Sequence, residues 1–162
     1  MSFPPDVIAD MQGGIDVPTA GQLYAGQRLF RFSSSHLFDR GFFVSPWWVD
    51  SSTAEAVVGL APSALGDERA SSRARGGLAV PPNWKGRSDM NYLDVLVRVT
   101  LRRSVVAFRG PGKDQFGSGG KIVRAPRGVI QIFIPELSSR MSPPPTLQTA
   151  FELFASREAI RL

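Results

Sequence analysis

Asn91–Leu101, NYLDVLVRVTL, decides the fold class. In an extended chain Leu93, Val95, Val97, Val99 and Leu101 fall on one face, and Tyr92, Asp94, Leu96, Arg98 and Thr100 on the other. A period of two with β-branched residues on the apolar face is the pattern of a half-buried strand. Working outward, Gln27–Phe32 (QRLFRF), Gly41–Val49 (GFFVSPWWV), Ser104–Phe108, Lys121–Arg124 and Gly128–Ile134 are shorter runs of the same kind. Pro46 marks an edge or an end in the second of these, because proline cannot donate to a ladder. Helical signals are few: a turn about Asp6–Met11, the S-x-x-E spacing of Ser52–Glu55 ahead of AVVGLA, and Thr146–Leu162 with Leu147, Phe151 and Phe154 on one stripe. Strands that follow one another without intervening helices exclude a βαβ nucleotide fold. The expected architecture is α+β, a largely antiparallel sheet core with a few short helices. Residues 1–26, rich in Pro, Gly and Asp, read as an N-terminal arm, and 27–162 as the domain.

Composition removes whole classes of chemistry. The 162 residues include no Cys and one His, which excludes a disulfide scaffold, a thiolate zinc site, a cysteine nucleophile and a multi-histidine metal centre. No metal is therefore expected. There is no apolar run long enough for a transmembrane helix, and MSFPPDVIADMQGG lacks the basic start and apolar stretch of a Sec signal. Neither a membrane partner nor a Sec route is expected. The net charge of +5 is unevenly spread: residues 1–70 carry −4, residues 71–128 carry +9, and the remainder is balanced. Of the 19 basic residues 16 are Arg, whose planar fork suits phosphate and carboxylate. A basic middle region is either a solvated face or a surface for a polyanionic ligand or an acidic partner.

Three polar residues stand among apolar strand positions. Arg31 is flanked by Phe30 and Phe32, and either reaches solvent or grips an anion in a cleft. Ser45 precedes Pro46, Trp47 and Trp48, placing a hydroxyl beside aromatic faces that suit either a sheet corner or stacking on a planar ring. Gln131 lies within GVIQIFIP and is either a satisfied core amide or the polar group of a cleft. The Gly-rich stretch Gly110–Gly120 lacks G-x-x-x-x-G-K-[ST] and no helix follows it, so it reads as a turn or a lid and not as a phosphate loop. A triad drawn from His36, Ser33–Ser35 and Asp39 has no G-x-S-x-G elbow behind it, and no spacing marks Asp94 and Glu136 as a catalytic pair.

Taken in order, these runs resemble the ADP-ribosyltransferase superfamily, and within it the NAD glycohydrolase toxins. The resemblance is carried by Arg31-Phe32-Ser33-Ser34, by Gly41-Phe42-Phe43-Val44-Ser45-Pro46, by the tyrosine-led strand Tyr92–Val99, and by Gln131-Ile132-Phe133-Ile134-Pro135, across roughly residues 27–137. Transferases of the superfamily usually carry Glu where Gln131 falls, so the resemblance leans to the glycohydrolase branch. Leu93 and Asp94 stand where that branch has a functional His, and Lys121–Gly128 separates the Gly-rich stretch from the Gln131 strand.

The resemblance implies an ADP-ribosyltransferase-like split sheet and NAD as substrate. It makes Arg31, Ser45 and Gln131 the catalytic set. Arg31 would hold the nicotinamide-side ribose or the phosphates, Ser45 would bond near that ribose, and Gln131 would orient ribose hydroxyls or the attacking water. Phe32, Ser33, Phe43 and Trp47 would complete the NAD contacts, with Phe43 or Trp47 stacking on nicotinamide. The implied activity is hydrolysis of NAD by a toxin or effector acting in a target cell's cytoplasm, with an acidic immunity protein as partner. Two other readings stand beside it. One is mono-ADP-ribosyltransfer to a protein or nucleic-acid acceptor, with Glu136 as carboxylate. The other is a non-catalytic basic module using Trp47, Trp48 and Trp84.

Overall fold

The computed structural model describes residues 2–33, 44–59, 95–116, 122–123 and 129–161. In chain order its elements are α1 (Pro5–Gly14), β1 (Thr19–Leu23), β2 (Arg28–Ser33), β3 (Trp47–Trp48), α2 (Ser51–Gly59), β4 (Val95–Leu101) and β5 (Val105–Pro111). They continue with β6 (Gln115–Phe116), β7 (Ile122–Val123), β8 (Ile130–Phe133), a 3-10 turn (Pro135–Leu137), α3 (Leu147–Leu153) and β9 (Phe154–Arg161). The expected α+β class with mostly antiparallel sheets and few helices is what the chain forms.

The strands make a four-stranded sheet ordered β1-β5-β8-β3 and a three-stranded sheet ordered β2-β4-β9, with β6 and β7 as a separate pair. All the ladders are antiparallel. The two larger sheets meet at one point. Trp48 pairs with Ile132 of β8, while the next residue, Val49, pairs with Phe30 of β2. Both bonds of that bridge form: Phe30 N–H to the Val49 carbonyl at 2.9 Å, and Val49 N–H to the Phe30 carbonyl at 2.8 Å. Successive residues of β3 thus hand the hydrogen-bonding edge from one sheet to the other.

Alternation along each strand defines two faces. The inner face carries Leu29, Trp48, Val97, Val99, Leu101, Val105, Ala107, Ile132 and Ile134, closed over by Leu137, Ala150, Leu153 and Phe154. The outer face of the four-stranded sheet carries Phe133, Trp47 and Phe108, on which Val7, Met11 and Ile15 pack. Val7, Met11 and Ile15 recur at intervals of four, so one stripe of α1 is buried, and each side chain contributes about 1.5–3 kcal/mol of burial. The segment read as an arm therefore holds a helix and an edge strand, both docked on the sheet. Its Pro and Gly content masked that stripe. Pro5 falls at the start of the helix, where a missing N–H costs nothing. Gly14 lets Trp47 approach, since a Cβ there would come within 2.3 Å of the Trp47 ring.

Two helix expectations are corrected. Ser52 is not the cap of α2: the Thr53 N–H is held by Asp50 Oδ1, three residues earlier, at 2.8 Å. The helix expected over Thr146–Leu162 stops at Leu153, and Phe154–Arg161 is strand β9, paired along β4. Without β9, the second edge of β4 would leave its backbone groups unpaired, and that outweighs the helical propensity of the last residues. The expected stripe is accordingly broken: Phe154 is buried, whereas Leu147 is 41% and Phe151 36% exposed. At its other end α3 starts as the sequence suggests, with Thr146 and Thr149 bonding each other's backbone N–H groups at 3.3 and 3.0 Å.

Candidate functional site

Arg31 lies on β2 directly across from Val97 of β4. Cross-strand partners share a face, and Val97 is fully buried on the inner face, so the Arg31 side chain points inward as well. The Phe30–Val49 bridge sets Arg31 beside Trp48, and Trp48 pairs with Ile132. A cation thus stands in a row of buried apolar side chains where the two sheets join.

Nε and Nη1 of Arg31 are buried and have no hydrogen-bond partner among the described residues. Burial alone pushes the guanidinium down to about 10, below its ordinary range; no carboxylate contributes. The residue as a whole is half-buried, while the guanidinium is sunk in the sheet. A buried charge without a counter-ion is costly, and the arrangement suits an incoming anion.

Ser45 is buried, at 8% exposure, and its Oγ accepts the Trp47 N–H at 3.2 Å, while its carbonyl accepts Trp48 Nε1 at 2.7 Å. Its geometry is that of a turn holding the two tryptophans in register, with the hydroxyl proton still free to donate. The Trp47 ring packs edge-on to Phe133 with centroids 4.8 Å apart, under α1. Trp47 is committed to anchoring that helix, on the outer face. Phe32 is buried opposite Leu96, on the face of β2 away from Arg31.

Gln131 is half-buried on β8 across from Gly110. Its neighbours Ile132 and Phe133 belong to the inner and outer clusters respectively, so alternation gives Gln131 the outer face of Phe133. The structure brings Arg31 and Gln131 to neighbouring rows of the junction and does not bring them to one face. Beyond Val49 the chain turns into α2, so no described strand lies between β2 and β8 there. By register Gln131 and Phe30 lie level with Val49, on either side of it, just before that parting. Ser33 ends β2 opposite Val95, where only its backbone is described. Phe43, His36, Trp84 and Asp94 lie outside the described residues.

Glu136, on the 3-10 turn, is bound to Arg103, Oε2 to Nη2 at 2.6 Å, and this pairing raises the Arg103 guanidinium above its ordinary range. The carboxylate of the transferase reading is therefore engaged by an arginine. Nothing in the sequence pairs these two residues, which are brought together by the register of β5 and β8. Among the described residues no group of three or more His, Cys, Asp or Glu could hold a metal ion, and no helix is long and apolar enough to cross a membrane.

No protein-family model matches the chain, and no curated protein matches it at a significant level. A solved structure similar to it is "Rhs1-CT in complex with cognate immunity protein RhsI1", at 17% identity over 75% of this chain and 73% of that one, with a TM-score of 0.47.

Proposed function

We propose that this chain is an NAD-consuming enzyme of the ADP-ribosyltransferase kind, a glycohydrolase that cleaves the nicotinamide–ribose bond and serves as a toxin or effector. The observation that carries the reading is Arg31: an inward-facing guanidinium, buried where two sheets join, with two nitrogens unpartnered among the described residues. A dinucleotide diphosphate would neutralise that charge and fill its donor sites with planar, two-pronged hydrogen bonds.

The reaction asks little else of the side-chain inventory. The C1′–N bond breaks, neutral nicotinamide leaves with the bonding pair, the ribose passes through an oxocarbenium-like state, and water adds at C1′ with release of a proton. Positioning and charge stabilisation supply the catalysis, which a chain without cysteine and with a single histidine can provide. In this reading the substrate's phosphates lie on Arg31's side of the junction. Its nicotinamide ribose rounds the chain at Val49 to the outer face, where Gln131 lies level with Val49 on β8. Ser45 keeps Trp47 and Trp48 in register and so holds the strand that the substrate rounds.

Nicotinamide release from NAD by the purified protein tests the proposal. Turnover is expected in the wild type, with loss of more than about 100-fold in Arg31→Ala, in line with removal of a charged group from a transition-state complex. Gln131→Ala is expected to lower kcat while leaving NAD affinity nearly unchanged, because the grip is Arg31's. Absence of nicotinamide release in the wild type, or equal turnover in both variants and the wild type, would sink the reading.

A further inference from the structure

A guanidinium is a flat group whose donors lie along its edges, and the two bare nitrogens of Arg31 belong to different edges. Nε–H lies on the side edge, which Nε shares with Nη2. Nη1 lies on the end edge, which it also shares with Nη2, and its second N–H is turned toward the side chain's own Cδ. Each edge is a two-pronged fork that matches two oxygens of one oxyanion. With Nε and Nη1 both buried and both without a partner among the described residues, each edge lacks at least one of its bonds.

The described neighbours cannot supply the missing oxygens. On the inner face Arg31 lies across from Val97 and beside Trp48, with Ile132 next in the row and Leu29 two residues back along β2. The only polar side-chain atom in that set is Trp48 Nε1, a donor already given to the Ser45 carbonyl at 2.7 Å. The ligand must therefore bring its own acceptors, and bring them to two edges at once. Burial sharpens the requirement. A buried donor left bare keeps its desolvation cost, so an anion that fills one edge alone recovers only part of what a fully matched ligand recovers.

We infer that the Arg31 site is built for a diphosphate, with one phosphoryl group on each edge of the guanidinium, and that it discriminates against a monophosphate. Two phosphoryl groups joined through one oxygen present separate oxygen pairs to neighbouring edges of one flat group. A single phosphoryl group fills one edge at a time. The consequence for the reaction, which rests on the NAD reading, is a choice between substrates with the same scissile bond. Nicotinamide mononucleotide carries the same C1′–N bond as NAD and one phosphoryl group in place of two. Arg31 is then the residue that makes the dinucleotide the preferred substrate. A site built to hydrogen-bond a group rejects the analogue lacking it, because its own buried donors are left unpaired.

The test uses the full chain, with inorganic diphosphate and inorganic phosphate as probes at equal ionic strength and pH 7.5. Affinity is read by titration calorimetry and location by amide hydrogen exchange. Diphosphate is expected to bind about tenfold to a hundredfold more tightly than phosphate, the range for a buried donor satisfied against one left bare, and to slow exchange in 28–33. Arg31→Lys keeps the positive charge and loses the flat fork, so the preference is expected to be lost there. Arg31→Met, expected to bind neither probe, serves where Arg31→Lys does not fold. Nicotinamide release is then compared for the two nucleotides. NAD is expected to exceed the mononucleotide by at least about tenfold in kcat/KM, and the ratio to collapse in Arg31→Lys. Phosphate bound as tightly as diphosphate, a preference that survives in Arg31→Lys, or protection that leaves out 28–33 would overturn the inference. Equal use of the two nucleotides would overturn it and leave the NAD reading standing. A diphosphate preference held by Arg31 in a protein that releases no nicotinamide would uphold the site and remove the NAD reading alone.

Discussion

Among the described residues, the local energetics of Arg31 and Val17 run against stability. Arg31 places a charge among Leu29, Val97 and Trp48, and the free protein gives Nε and Nη1 no described partner. Methionine is unbranched and apolar, and it would occupy much of the same space without the charge. Arg31→Met is therefore expected to abolish NAD turnover and at the same time raise the stability of the free protein at pH 7.5 by roughly 1–3 kcal/mol in urea unfolding, as when buried ions are exchanged for apolar side chains. A variant that loses activity and stability together would mean that Arg31 is structural. Val17 is a β-branched residue at φ +48°, 78% exposed, so its side chain gains little burial to offset a left-handed backbone. Val17→Asn is expected to stabilise by about 0.5–1 kcal/mol, read as a rise of a few degrees in Tm. The sequence singled out Arg31 because a charge stood between two phenylalanines. Val17 gave no such sign, since its strain comes from the path of the chain between α1 and β1 and not from its neighbours in sequence.

At the scale of elements, packing against partners decides what the sequence pattern leaves open. The alternation of Val95, Val97, Val99 and Leu101 was legible because β4 is buried on one face along its length, and each of these side chains is at most 3% exposed. Phe154–Arg161 was not legible as a strand, because its residues form helices readily and only the vacant edge of β4 requires an extended chain. Gln131 shows a third case. Its face follows from where β8 sits between β5 and β3, so a motif could mark the residue without telling which way it points. The same dependence makes α1 vulnerable at one atom. Gly14 faces the outer end of the Trp47 six-membered ring, and a methyl group there would meet ring carbons at 2.3 and 2.9 Å. Gly14→Ala favours the helix by propensity, by up to about 1 kcal/mol, yet is expected to destabilise the protein by roughly 1–3 kcal/mol through overpacking. Thermal unfolding would show which term wins. A higher Tm for Gly14→Ala would mean that Trp47 moves aside freely and that α1 is not pinned by it.

At the scale of the whole molecule, the buried Arg31 cation, whose Nε and Nη1 have no partner among the described residues, is expected to tie stability to both pH and anion binding. The folded-state value for Arg31, about 10, lies below that of an arginine in the unfolded chain. Between those two values the unfolded chain binds more protons than the folded one, so this group makes stability increase with pH. Its cost is fully present well below pH 10 and is relieved as pH rises above it. Every other titratable group is common to the wild type and Arg31→Met, so the difference between the two isolates Arg31. That difference, with the variant the more stable, is expected to stay constant from pH 8 to 9 and then to shrink by at most about 1.4 kcal/mol per pH unit above 10. A bound diphosphate favours the charged guanidinium and so acts in the opposite sense. ADP-ribose at pH 7.5 is expected to raise the Tm of the wild type and not of Arg31→Met, and the rise is expected to fade above pH 10 as the free protein loses the charge that binds it. Urea unfolding of both proteins at pH 8, 9, 10 and 10.8, with and without ADP-ribose, measures all of these quantities. A stability difference that does not change with pH, or an ADP-ribose effect of equal size in both proteins, would show that the cation in the sheet neither carries the cost nor holds the anion.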